Sequence, residues 1–356
     1  MMVSYNKTRK REVSMIAFKT KYVNLIVSIG IALAMLGMTY STATAEVKTV
    51  RLAKQFGLGY LPLIVMEQYK LIEKHAKAAG LGNINVTWST FGGGAAMNDA
   101  LISGNLDFPS GGVGPLIKIW AKSKGILDVK GVAAINAMPL FLNTRNPNVK
   151  SIRDLTNKDR IALPAVKVSI QAVILQMAAA KTFGEKNYDK LDHLTVSMKH
   201  PDAMIALLSG RSEITTHLTS PPYEFQELED PSVHRVFSSY DILGGPHTFN
   251  NVWTTSKFHK NNPKTYAAVF AALNEAMDII NKDKRAAAEL YVKATRSKLS
   301  VDFVYKIITD PSIEFTTVPL NTMKFAKFMY KIGAIKIMPK SWKDMFFSEI
   351  YDKQGS

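Results

Sequence analysis

The chain has 356 residues, 47% of them hydrophobic, with 45 Lys and Arg against 29 Asp and Glu for a formal net charge of +16. It contains no cysteine, which excludes a disulfide framework, a thiolate metal site and a cysteine nucleophile. The basic residues are scattered, with no motif that interleaves them with aromatics, so the charge reads as solubility and a mild pull on anions; nucleic acid is not an expected partner.

Lys19 and Lys21 precede an apolar run from Val23 to Met38, broken by Asn24, Ser28 and Gly30. That run is shorter than the roughly 20 clean residues of a membrane span, and Ala43-Thr44-Ala45 has the small-residue pattern a signal peptidase cuts. The expectation is a signal peptide over residues 1–45, cleaved after Ala45, against the rival of a retained membrane anchor; a start at Met15 gives a leader of ordinary length. The exported chain then keeps 39 basic and 28 acidic residues, 39 − 28 = +11. Its 311 residues exceed one comfortable core and predict two domains or one large α/β unit. No Ser/Gly-rich linker divides it, so any passage between domains uses short ordered segments.

Val47 to Lys54 reads as a first strand, followed by the turn Gln55-Phe56-Gly57-Leu58-Gly59-Tyr60. Pro62 suits a first helical turn, and Leu61, Val65, Tyr69, Ile72, Ala76 and Ala79 follow helical spacing up to a stop at Gly80. Val86, Trp88 and Thr90 alternate as in a strand, and Phe91-Gly92-Gly93-Gly94 opens a helix to Ser103-Gly104. Leu106–Pro109 reads as a short strand, and Gly111-Gly112-Val113-Gly114-Pro115 as a turn into a helix through Trp120. Trp88 and Trp120 are expected in the core. Such alternation predicts a mostly parallel sheet covered by helices.

An internal echo refines this. Ala100-Leu101-Ile102-Ser103-Gly104, then Asp107-Phe108, then Pro115, returns 106 residues later as Ala206-Leu207-Leu208-Ser209-Gly210, Glu213-Ile214 and Pro221. Two similar α/β lobes account for it, the second interrupting the first. Ala133–Thr144, punctuated by Pro139, suits the outward crossing, and Thr248–Ser256 the return. Asn262-Pro263 then caps a long helix, and the chain to Tyr351 reads as almost wholly helical. Two extended connections between lobes make a hinge that permits closure on a ligand.

Enzyme fingerprints fail. Gly57-x-Gly59 lacks the third glycine of a dinucleotide loop, and no Gly-Lys-Ser/Thr loop, His-Glu-x-x-His helix or Gly-x-Ser-x-Gly elbow occurs. Seven dispersed histidines offer no pair at ligand spacing on a helix, so neither a metal nor a cofactor is expected.

The ordered series Gly57-Leu58-Gly59-Tyr60-Leu61-Pro62, Phe91-Gly92-Gly93-Gly94-Ala95, Ser103-Gly104-Asn105-Leu106-Asp107-Phe108, Ile161-Ala162-Leu163-Pro164 before Ser169-Ile170-Gln171-Ala172, and Asn262-Pro263-Lys264 spans nearly all of residues 46–356. It resembles the periplasmic solute-binding proteins of ABC importers, in the nitrate/sulfonate/taurine class. The resemblance implies an α/β type II periplasmic-binding-protein fold: two doubly wound lobes joined by two hinge crossings, residues 46–140 with 250–356 forming one lobe and 141–249 the other. It also implies a monomer that captures a small-molecule anion for an inner-membrane permease and its ATPase. A sulfonate or taurine-like ligand is expected. An aromatic carboxylate, nitrate, a pyrimidine precursor, a sensory role and a fold-related enzyme of pyrimidine or thiamine metabolism stay open.

Ligands of open α/β sheets sit beyond the carboxyl ends of the strands, where helix N-termini offer unpaired N–H groups. The site residues expected on that ground and by the resemblance are Gln55, Gly59, Tyr60, Gly92, Gly93, Gly94, Ala95, Gly112 and Val113 from the first lobe. From the second come Val168, Ser169, Thr216, His217 and Thr219, the last three read as a loop matching residues 110–113. Lys54 and Lys167 are the nearest cations, and Phe249 and Trp253 are alternatives for packing the hinge.

Overall fold

The computed structural model describes residues 46–356, and the expected signal peptide of residues 1–45 lies outside them. Strand β1 (Thr49–Lys54) encloses Val50 and Leu52 and runs parallel to β2 (Asn85–Thr90), Thr49 opposite Asn85 and Lys54 opposite Thr90. Trp120 is buried as expected, but Trp88 lies on the edge strand β2 and is half-buried, with Lys54 Nζ 5.2 Å from its ring.

The single helix expected from Leu61 to Ala79 is two helices, Leu61–Gln68 and Leu71–Ala78. Lys70 takes a left-handed conformation, φ 50°, and resets the helical phase. Leu71 therefore turns inward beside Ile72, which the spacing had already placed there, and Tyr69, placed inside by the unbroken spacing, is exposed. The expected strand at 106–109 gives only a bridge from Phe108 to Leu52; the strand is β3 (Ser110–Gly112), just beyond it. Its partner, antiparallel β10 (Asn250–Thr254), comes from far along the chain, which local spacing cannot reveal.

β10 also pairs with β4 (Lys130–Ala134), giving the order β3-β10-β4. The other large sheet has the order β7-β6-β8-β5-β9, made of β5 (Phe141–Thr144), β6 (Ile161–Leu163), β7 (Thr195–Ser197), β8 (Thr216–Leu218) and β9 (His234–Ser238). Every antiparallel ladder among the described strands involves β5 or β10; β1–β2, β6–β7 and β6–β8 are parallel. Four of these seven ladders are antiparallel, so the sheets are mixed rather than mostly parallel as expected; β5 and β10, the strands at the two crossings, enter their sheets against the direction of their neighbours. The internal echo is visible in three dimensions. β3 and β8 each follow a helix closed by a left-handed glycine, Gly104 or Gly210. Each echo acid faces an arginine, Asp107 meeting Arg51 at 2.7 Å and Glu213 meeting Arg160 at 3.8 Å.

The two crossings lie side by side. Ile135 N–H donates to Asn250 O (2.9 Å), Phe249 N–H donates to Asn136 O (3.1 Å), and Ala137 bridges Thr248. Ser239 Oγ accepts from Leu140 N–H (2.9 Å) and donates to His247 Nε2 (2.7 Å), while His247 Nδ1–H donates to Thr248 O (2.9 Å). Both imidazole nitrogens are thereby used in the neutral form, and burial lowers the His247 pKa from 6.5 to about 4.

The helix Pro263–Lys282 buries Val269, Leu273 and Met277 and packs on Leu71–Ala78. Asn262 does not cap it with its side chain; its Oδ1 accepts from Val47 N–H (2.9 Å). The cap comes from Glu46, whose carboxylate accepts from Lys264 N–H (2.8 Å), Thr265 N–H (3.0 Å) and the Thr265 hydroxyl (2.6 Å). The helices Lys284–Thr295, Val301–Ile308 and Thr322–Lys331 follow, and beyond Lys331 the chain is irregular with short 3-10 turns rather than helical.

Two outcomes are expected. Glu46→Ala loses about 1 kcal/mol of stability, the usual worth of an N-terminal cap, measured by urea denaturation. The unfolded chain protonates His247 near pH 6.5 and the folded chain only near pH 4, so its contribution is present above pH 6.5 and drains away as pH falls to 4. Its full size is about 3 kcal/mol, and His247→Asn should flatten that part of the stability–pH curve.

Candidate functional site

Five strand ends meet at one gap. Gln55 follows β1, Gly94 follows β2, Gly112 ends β3, Pro164, Ser169, Ile170 and Gln171 follow β6, and His200 follows β7. Tyr60 and Pro115, with Phe249 and Asn250 of the return crossing, complete the lining. The free volume is about 20 Å³, room for about one water. The jaws are shut.

Glycines on one side keep the gap narrow. A Cβ on Gly112 would lie 2.6 Å from Ile170 Cγ2, and one on Gly93 would lie 3.3 Å from the Pro164 carbonyl oxygen. The glycines read as room for a ligand are where the segments after β2 and β3 touch the segment after β6. Leu58 N–H donates across the same seam to Pro221 O (2.9 Å).

Of the expected residues, Gln55, Tyr60, Gly94, Gly112 and Ser169 line the gap. Gln55 Nε2 donates to Ser110 O (3.3 Å), and Tyr60 Oη donates to Asn250 Oδ1 (3.2 Å), its pKa raised by burial. Ser169 Oγ accepts from Ala172 N–H (3.2 Å) as the cap of the helix Ile170–Phe183. The others lie off the gap. Gly59 presents its carbonyl to Asn136 Nδ2 (2.6 Å), Val113 is buried in the core, and Gly92 and Gly93 sit on the seam. Ala95 and Val168 line a separate groove beside Asn98 and Asp99. Thr216 and His217 belong to strand β8 rather than to a loop, enclosed between β5 and β6, and Thr219 is buried behind His200, 3.5 Å from its Nδ1. Trp253, weighed for the hinge, is fully buried and donates to Asn98 Oδ1 (3.0 Å).

His200, Gln171 and Asn250 are the polar residues that sequence reasoning missed. The signal for His200 was His200-Pro201 opening a helix after a strand, the topology already used for the other loops. His200 is the outer end of a buried relay. Its Nδ1–H donates to His217 Nε2 (2.9 Å), and His217 Nδ1–H donates to Glu227 Oε1 (2.5 Å). Asn143 Nδ2 donates to Glu227 Oε2 (3.0 Å), and Gln171 Nε2 donates to His200 Nε2 (3.1 Å). The direction of these bonds is assigned from the Glu227 carboxylate as terminal acceptor. Burial, and then His217, hold the His200 pKa well below its usual value, so the ring is neutral. Among the described residues no Lys or Arg lines the gap. Lys54 is paired with Glu67 at 2.6 Å, and Lys167 is exposed. The groups the gap presents are therefore neutral hydrogen-bonding side chains and helix N-termini.

No protein-family model matches the chain, and no curated protein matches it. Solved structures do. The alkanesulfonate-binding protein SsuA of Xanthomonas axonopodis pv. citri, bound to MOPS, is 18% identical with a TM-score of 0.63, over 83% of this chain and 96% of that one. The periplasmic nitrate-binding protein NrtA of Synechocystis PCC 6803 is 14% identical with a TM-score of 0.65, over 84% of each chain. The Candida albicans CA3427 product, described as having the generic periplasmic binding protein fold, is 14% identical with a TM-score of 0.62, over 83% of this chain and 92% of that one. The fold is that of a periplasmic binding protein.

In a periplasmic-binding-protein fold the seam glycines become testable. Gly112→Val should fold but fail to shut, because its side chain meets Ile170 before the lobes do. Small-angle scattering is expected to give a larger radius of gyration than for the parent.

Proposed function

We propose that this protein is the periplasmic solute-binding component of an ABC importer. A monomer traps a small organic anion of the sulfonate or taurine kind between its lobes and presents the closed form to an inner-membrane permease served by its ATPase. In this reading residues 46–140 and 250–356 form one lobe, 141–249 the other, and residues 1–45 are a signal peptide removed after Ala45. The observation that carries it is the meeting of Gln55, Gly94 and Gly112 with Ser169, Gln171 and His200 at one gap between the lobes. A guest touching both sides stabilises the closed state by its differential affinity, which is what a transporter can sense. The neighbours named for sulfonate and nitrate binding support the solute class.

A second reading, a neutral pyrimidine precursor or an aromatic carboxylate, is favoured by one observation. Gln55, Gln171, His200 and Asn250 all line the gap as neutral groups with both donors and acceptors, and among the described residues no cation accompanies them.

A thermal-shift screen of taurine, alkanesulfonates, nitrate, aromatic carboxylates and pyrimidines distinguishes the two, since a bound solute raises Tm by mass action. Gly93→Val, which wedges the seam at Pro164, should abolish the ligand-induced shift and leave the ligand-free Tm near the parent's. A full shift in that variant, or no shift with any class, defeats the reading.

A further inference from the structure

Beyond Gln55 the seam widens into a chamber of about 460 Å³ between the helix Leu61–Gln68, the helix Lys284–Thr295 and Tyr223, which reaches in from the second sheet's side. Gln55 lines both this chamber and the gap. The Tyr223 ring stacks on His200, with centroids 5.8 Å apart and planes at 26°, and a Cβ on Gly57 would lie 3.3 Å from it. Closing the seam therefore completes the chamber.

Its walls are built for a polar guest. Tyr291 is only 4% exposed and lines the chamber, yet its hydroxyl has no hydrogen-bond partner among the described residues; the Tyr223 hydroxyl has none either. Neither hydroxyl oxygen is itself enclosed, so both open onto the chamber and are free to bond a guest seated there. Burial, and then Tyr223, push the Tyr291 pKa up, and burial does the same to Tyr223, so both hydroxyls remain donors at neutral pH. The charged groups of the wall are Lys54 and Glu67, 2.6 Å apart. They cancel in sum while offering both signs. A plain anion gains Lys54 but stands against Glu67, whereas a guest bearing both charges meets a complement at each end.

We propose that this chamber binds a small organic zwitterion, its sulfonate or carboxylate oxygens taking the Tyr223 and Tyr291 hydroxyls and Lys54, its ammonium facing Glu67. The proposal rests on the solute-binding reading above and narrows it to solutes carrying both charges, held beside the gap rather than within it.

The test is calorimetric titration with two zwitterions, taurine and β-alanine, and their amine-free counterparts, ethanesulfonate and propionate. The expected result is that one zwitterion binds about tenfold or more tightly than its counterpart, which also tells sulfonate from carboxylate. Tyr291→Phe, which removes one oxygen and should keep the ligand-free Tm, is expected to weaken that zwitterion about tenfold. Glu67→Gln is expected to erase the preference over the amine-free partner. Equal binding of the counterparts, binding unchanged in both Tyr291→Phe and Tyr223→Phe, or no binding of either zwitterion overturns the proposal. If Gly93→Val abolishes binding while both tyrosine variants keep it, the chamber is excluded and the closing gap stands. Thermal stabilisation confined to another solute class likewise excludes the chamber and leaves the gap as the binding site.

Discussion

The narrow gap depends on glycine backbone packing directly against Ile170 and Pro164 across the seam. Gly112 against Ile170 leaves no room for a methyl group, and Gly93 against Pro164 would hold one only tightly, at 3.3 Å from the carbonyl oxygen. Close packing of this kind is sensitive to a single added carbon. It sets the separation of the lobes, and hence the narrow space among Gln55, Ser169, Gln171 and His200.

The polar interior follows from the same closeness. Glu227 and His217 are fully enclosed, and an enclosed carboxylate is tolerable only when paired and hydrogen-bonded. Asn143 and His217 meet that need, and the chain of bonds runs on through His200 to Gln171. His200 is therefore held by three partners in depth and presents a fixed, uncharged edge to the gap. Glu224, on the same short helix, has one oxygen on Phe141 N–H (3.0 Å) and the other unpartnered, and burial pushes its pKa well up, which suits a protonated acid.

Much of the architecture was readable from local pattern. Strand–helix alternation, the echo between 100–115 and 206–221, and the run through Pro139 all correspond to observed elements, because each depends on neighbours within a few residues. What failed depended on distant partners. β3 appears at 110–112 because β10 returns beside it, and the break at Lys70 serves the inward turn of Leu71. Glu46 displaced Asn262 as a helix cap across 218 residues of sequence. At the site, the rule that guests sit beyond strand ends located Gln55, Tyr60, Gly94, Gly112 and Ser169 at the gap. It misplaced Thr216 and His217 because the echo showed where the second-lobe unit lies, not which of its residues stay in the strand. His200 was passed over because a lone histidine carries no spacing; its significance comes from His217 and Glu227 behind it.

The pairing of the outward and returning crossings has a mechanical consequence. Two strands stitched by Ile135–Asn250 and Asn136–Phe249 bonds can flex together but cannot slip past one another without breaking those bonds. In the two-lobed reading proposed above they are the spine of a book, and a swing about it would expose both facing pages.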